Sequence, residues 1–187
     1  MSPWNDPIPL TRGWCLFELY CTATTDSKFE IAMSNEHRRF FFDDMKSSVD
    51  KEISRMLATI NVVKSECFKE EDRGRFFDVV EKPVGFNGIN SMVSEKLRDW
   101  VIRITLRQTS IVRDPKEELD LKFVLANLYD NQGKYDLAEP IYVEYWEKIK
   151  YLLGDNHLDT ISAINNWRDF MIIKESLIWR NRCICNA

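Results

Sequence analysis

Apolar side chains recur at helical spacing along most of this chain, and the pattern breaks only at a few short stretches. After Thr11, read as an N-cap, Trp14, Cys15, Phe17, Glu18 and Leu19 sit in a first helix. Lys28 to Met33 alternates apolar and polar positions and predicts a short strand. Phe41, Met45, Val49, Ile53 and Met56 make one stripe, predicting a helix capped by Asn35 and running to about Leu57. Ile60 to Val63 predicts a second short strand. Lys69 to about Val80 reads as a charged helix with Phe76, Phe77 and Val80 inward. Gly85 to Gly88 reads as a turn. Ile89, Met92, Val93, Leu97, Trp100, Val101 and Ile104 then form a clean helical stripe, and residues 107–114 read as a linker.

The pattern sharpens beyond the linker. Asp114, Pro115 and Glu117 supply an N-cap, a proline at the first helical position and a glutamate at the third, a strong helix start. Leu121, Leu125, Leu128 and Tyr129 follow at helical spacing, with Ala126 as a small contact residue. Gly133 stops the helix where a left-handed backbone is needed. Asp136 and Glu139 suggest a second capping box, with Pro140 in the first turn. Ala138, Ile141, Tyr142, Tyr145, Ile149 and Leu152 make the next stripe, which Gly154 ends. These signals predict an antiparallel helix pair with a very short connection.

The order helix, strand, helix, strand, helix predicts an α/β remnant over residues 4–108, with two short parallel strands and flanking helices. An all-α helical hairpin region over 114–180 follows it. The whole reads as predominantly helical. Two strands are few for a parallel sheet, so the first part looks like the second half of such a domain.

Composition narrows the function classes. A 44% hydrophobic share is ordinary for a globular protein. The net charge is −4, with basic and acidic residues interspersed. No basic patch interleaves with aromatics, which argues against nucleic acid. No apolar run approaches a membrane-spanning length. Five cysteines, an odd number at irregular spacing, suggest reduced thiols and a cytoplasmic setting. Cys183-Ile184-Cys185 lacks the further ligands of a structural metal site. His37 and His157 have no Ser or Cys at a telling distance. Gly85 and Gly88 lack the spacing of a phosphate loop. The run Lys69 to Arg73 reads as a solvated helix face, and Phe40-Phe41-Phe42 as core plus one partly exposed ring. No cofactor is expected.

Leu125-Ala126, Leu128-Tyr129, Gln132-Gly133-Lys134-Tyr135, Ala138-Glu139-Pro140, Tyr142, Leu153-Gly154, His157 and Asp159-Thr160 together resemble a tetratricopeptide repeat of the kinesin-light-chain type. Ile164-Asn165-Asn166-Trp167 resembles the next unit, and aligning Leu125 with Trp167 gives a period of 42. In the second unit Arg168 replaces Ala126 and Glu175 replaces Gly133, which marks a degenerate repeat. The resemblance implies non-catalytic protein–protein interaction, as an adaptor or scaffold for a protein or peptide ligand. It implies peptide contacts from Asn127, Asn131, Asn165 and Asn166 on the first helices of the repeats.

Thr11-Arg12-Gly13-Trp14-Cys15-Leu16-Phe17-Glu18-Leu19 resembles the Trp-Cys-Leu-x-Glu-Leu helix of TIR domains, flavodoxin-like folds of which some cleave NAD. The resemblance implies a catalytic role for Glu18 and a TIR-like partial domain over about 4–100. The family's first strands are missing from it, so an inactive or incomplete NAD-cleaving domain is the alternative reading. Two further expectations follow: self-association through the incomplete sheet, and a chain cut from a longer protein.

Overall fold

The computed structural model describes residues 4, 7–25, 27–67, 70–81 and 85–185, without the side chains of 70, 71, 73, 80 and 177–185. Eight α-helices account for most of them. They are α1 (Gly13–Thr24), α2 (Asn35–Ser47), α3 (Val49–Ala58), α4 (Glu70–Glu81), α5 (Gly85–Ile111), α6 (Pro115–Asp130), α7 (Tyr135–Leu153) and α8 (Leu158–Cys185). A short 3-10 turn, Ile8–Thr11, precedes α1. The chain divides into two compact units, Met1–Ile104 and Thr105–Ala187.

The predicted α/β remnant is corrected: the described residues contain no strand. A single parallel bridge, Arg12 with Glu66, is all that forms. Gly13 N–H donates to the Glu66 carbonyl at 3.0 Å, and Glu66 N–H to that of Thr11 at 2.8 Å. The Lys28–Met33 stretch alternates correctly but forms no backbone ladder with another strand among the described residues. Ile60 to Val63 is not a strand either. The Val62 N–H is satisfied by the Asn90 side chain at 3.0 Å, and Val62 is fully buried. An apolar run can thus be buried as a turn once a side chain accepts its backbone donor. With no sheet among the described residues, self-association through a sheet edge loses its basis.

The first unit is helical packing around aromatic rings. Phe41 and Met45 of α2, Ile53 and Met56 of α3, and Ile89, Val93, Leu97, Trp100 and Val101 of α5 are buried. Phe41 sits 5.7 Å from the Trp100 ring and 4.9 Å from Phe42. Phe40 stays exposed, as the run of three phenylalanines suggests. Gly13 opens α1 against α4: a Cβ there would lie 2.9 Å from both the Phe76 ring and the Ser65 hydroxyl. Any side chain there would require the Phe76 ring and the Ser65 hydroxyl to shift.

Several boundaries move. Arg12, not Thr11, stands at the N-cap of α1, and the Thr11 hydroxyl donates to the Ile8 carbonyl. Ser34, not Asn35, caps α2 by accepting the His37 N–H at 3.2 Å. The single helix expected over 35–57 breaks at Ser48, which is extended at φ −166°. Its apolar stripe continues across the break. The turn at 85–88 is the first turn of α5, and that helix runs through most of the expected 107–114 linker to Ile111. Only residues 112–114 connect α5 to α6.

The second unit is built from consecutive antiparallel pairs, α6 with α7 and α7 with α8. Asp114 caps α6 by accepting the Glu117 N–H at 2.7 Å. Gly133 turns the chain at φ +68°, where an alanine would be strained. The second capping box does not form. Lys134 stands at the N-cap of α7 and makes no side-chain cap bond. Glu139 instead accepts from Lys174 of α8, and Pro140 lies inside the helix, past its first turn. Ala126, Ala138, Tyr142 and Phe170 form one buried cluster; Leu119, Ile149 and Ala163 form another. Small residues at 126, 138 and 163 let the helices approach, while Phe170 fills the space with its ring 5.0 Å from Tyr142.

Candidate functional site

The four asparagines expected to contact a peptide are not equivalent. Asn127 is half-buried on α6. Its amide donates to the Phe123 carbonyl at 2.8 Å, and its oxygen accepts the Tyr142 hydroxyl at 3.1 Å. The first bond lies within α6, and the second ties α6 to α7. Asn131 is exposed at the C-cap of α6. Asn165 and Asn166 are exposed on α8.

The placement on α8 follows from its inward stripe. Thr160, Ala163, Trp167, Phe170, Met171 and Lys174 recur at three- and four-residue spacing, and all are at least partly covered. Leu158, Ile161, Asn165 and Ile172 therefore fall on the opposite face. That face is exposed: Leu158 is 77%, Ile161 45% and Ile172 60% accessible. Ile164 and Ile173 flank it and are also exposed. Asn165 thus sits on a mixed surface, between Ile161 one turn before it and the exposed Arg168–Asp169 pair one turn after it.

Charge pairs fasten the unit from outside. Lys122 of α6 lies 2.9 Å from Glu118 and 2.8 Å from Glu144 of α7, which also meets Lys148. The hydrogen bond to Glu144, then that to Glu118, holds the Lys122 ammonium above its ordinary pKa. Lys122 and then Lys148 hold Glu144 below the ordinary carboxylate value. Lys174 is raised by its bond to Glu139. Burial, with help from the Asp120 and Asp159 carboxylates, pushes the Tyr145 phenol up to about 12. His157 takes a structural part, its Nδ1 accepting the Asp159 N–H at 3.1 Å.

The first unit places Glu18 on the wall of a cavity of about 430 Å³. Cys15, Glu18, Leu19 and Thr22 recur at the spacing of one face of α1, and all four line it. Leu10, Met56 and Leu97, each buried in the core, also line it. Phe29 to Ala32 forms a further wall, held where the Arg103 guanidinium donates to the Phe29 carbonyl at 2.7 Å. Glu18 itself is exposed, with no ion-pair partner among the described residues. Glu30, also on the wall, lies 3.4 Å from Lys28. No Lys or Arg is among the described lining residues.

Sequence reasoning picked out Glu18 but missed the cavity. Its other walls come from the 29–32 segment, α3 and α5, and no local pattern ties those stretches together. Cys15, Cys21 and Cys67 are free thiols. Cys183 and Cys185 lie outside the described side chains, as does most of the Lys69 to Arg73 run. No group of three or more metal-ligating side chains occurs among the described residues, and none of the described helices is long and apolar enough to cross a membrane. No protein-family model matches this chain, and neither a curated protein nor a solved structure does.

Proposed function

We propose that the chain is a non-catalytic protein–protein interaction module of tetratricopeptide type, acting as an adaptor or scaffold. The observation that carries this reading is the outward face of α8. Leu158, Ile161 and Ile172 are exposed apolar side chains interleaved with Asn165 and the Arg168–Asp169 pair, on a helix whose opposite face is packed on α7. Exposed apolar surface bordered by polar groups is the usual character of a recognition surface. The amide at its centre gives a peptide backbone both a donor and an acceptor. Asn131, Asn165 and Asn166 are the contact residues in this reading, and Asn127 a positioning residue between α6 and α7.

The test is selection from a random peptide library on the full chain. Enriched peptides should lose binding about tenfold or more on Asn165→Ala with Ile161→Ser, both exposed changes that leave the helix folded. Enriched peptides that bind the double variant unchanged would remove α8 from the site. Failure to enrich any sequence would count against the module itself.

A second reading is NAD cleavage at Glu18, favoured by that carboxylate's place on a cavity wall. NAD consumption by the chain, abolished in Glu18→Ala, would establish it; equal consumption in both would exclude it.

A further inference from the structure

The cavity of the first unit has a chemistry of its own, apart from the α8 surface. Its volume, about 430 Å³, lies within the roughly 300–1,000 Å³ of small-molecule sites. Leu10, Leu19, Phe29, Ile31, Met56 and Leu97 give it apolar walls. Both charged residues on its described lining are acidic, Glu18 and Glu30. Glu30 already lies beside Lys28. Glu18 has no ion-pair partner among the described residues.

We infer that this cavity binds a small amphiphilic amine, with its aliphatic or aromatic body among the apolar walls and its ammonium at Glu18. Each part follows from the lining. The apolar walls favour a ligand body that removes hydrocarbon surface from water. The carboxylate then selects the sign of the head group. An ammonium gains a charge-assisted hydrogen bond, a hydroxyl gains a weaker one, and a carboxylate meets like charge.

The walls that matter are held from separate directions. Glu18 is fixed on α1, whose first turn is packed closely on Phe76 and Ser65 through Gly13. The 29–32 wall is fixed through the Arg103 bond to Phe29. Met56 and Leu97 are 1% and 0% exposed, so this part of the lining belongs to the packed core. The carboxylate is thus presented at a set place against an apolar surface.

The experiment uses the full chain and three probes of one length: decylamine, decanol and decanoate, each below its aggregation threshold. Binding is followed by methyl NMR shifts of Met56 and Leu97. Decylamine should bind about tenfold more tightly than decanol, as expected for one charge-assisted bond. Decanoate should bind more weakly than decanol. Glu18→Gln should bring decylamine to the decanol level and leave decanol unchanged. Ala32→Trp, an exposed position on the wall, should fill the cavity and weaken decylamine and decanol alike, with the helical circular dichroism retained. Equal affinity for the three probes in the wild-type chain would overturn the inference. So would an amine preference that survives Glu18→Gln, or binding that Ala32→Trp leaves intact.

Discussion

Phe170→Ala is the sharpest perturbation of the second unit. Phe170 is 2% exposed, and its ring lies 5.0 Å from Tyr142, 5.6 Å from Trp167 and 5.9 Å from Tyr135. Truncating a buried Phe to Ala costs about 3–5 kcal/mol, the transfer of the ring plus the cavity left behind. The lower end applies here, because α8 follows the last short connection of the unit and can settle toward α7. A loss of about 3 kcal/mol is a large share of the roughly 5–15 kcal/mol that stabilises a domain. It corresponds to about a hundredfold more frequent opening. Native-state hydrogen exchange with mass spectrometry on the full chain reads this directly. Amides over 158–176 should exchange about a hundredfold faster, and those of α2 and α3 far less so. Ile172→Ala, at a position 60% exposed, should change exchange by no more than a few-fold. The packing argument is refuted if Phe170→Ala accelerates α8 less than tenfold, or if α2 and α3 accelerate equally.

Two further outcomes test the caps and the buried phenol. Asp114→Ala should cost about 1 kcal/mol in urea unfolding, since it removes the acceptor for Glu117 N–H, whereas Asp136→Ala should cost close to nothing; equal losses would restore the second capping box. Tyr145 stays protonated in the folded chain to about 12 but ionises near 10 when unfolded. Stability is therefore unaffected below pH 10 and falls as pH rises from 10 toward 12, and Tyr145→Phe should flatten that fall in thermal melts; an unchanged slope would show that another group is responsible.

What could be read in the sequence was what is local. The stripe from Ile89 to Val101 places α5 because its spacing is periodic and its partners all lie to one side. The Asp114 cap and the Gly133 turn were legible because each is a short-range bond or a local dihedral requirement. Ser48 escaped notice because the stripe of Phe41, Met45, Val49, Ile53 and Met56 keeps its rhythm across the break. The strands failed because alternation describes a segment, while a strand needs a second chain beside it. At the candidate sites the same division holds. Asn165 and Asn166 are exposed, as a polar pair beside an inward Trp167 suggests. Asn127 looked equivalent in pattern, but its use is decided by Tyr142, which only the folded hairpin brings within reach. Glu18 was marked by a motif, and the cavity beside it by nothing local.

The bridge between Arg12 and Glu66 bears on how the chain acquires its structure. In the first unit it joins positions far apart in sequence, so a long stretch of chain must be ordered before those two backbone bonds are gained. In the second unit each helix packs on its sequence neighbour through a connection of a few residues, α6 on α7 and α7 on α8. Loop closure there is entropically light, and folding rate falls as contacts become less local. The two units therefore have different intrinsic tempos. On this basis the C-terminal helices are expected to assemble before residues 12 and 66 meet.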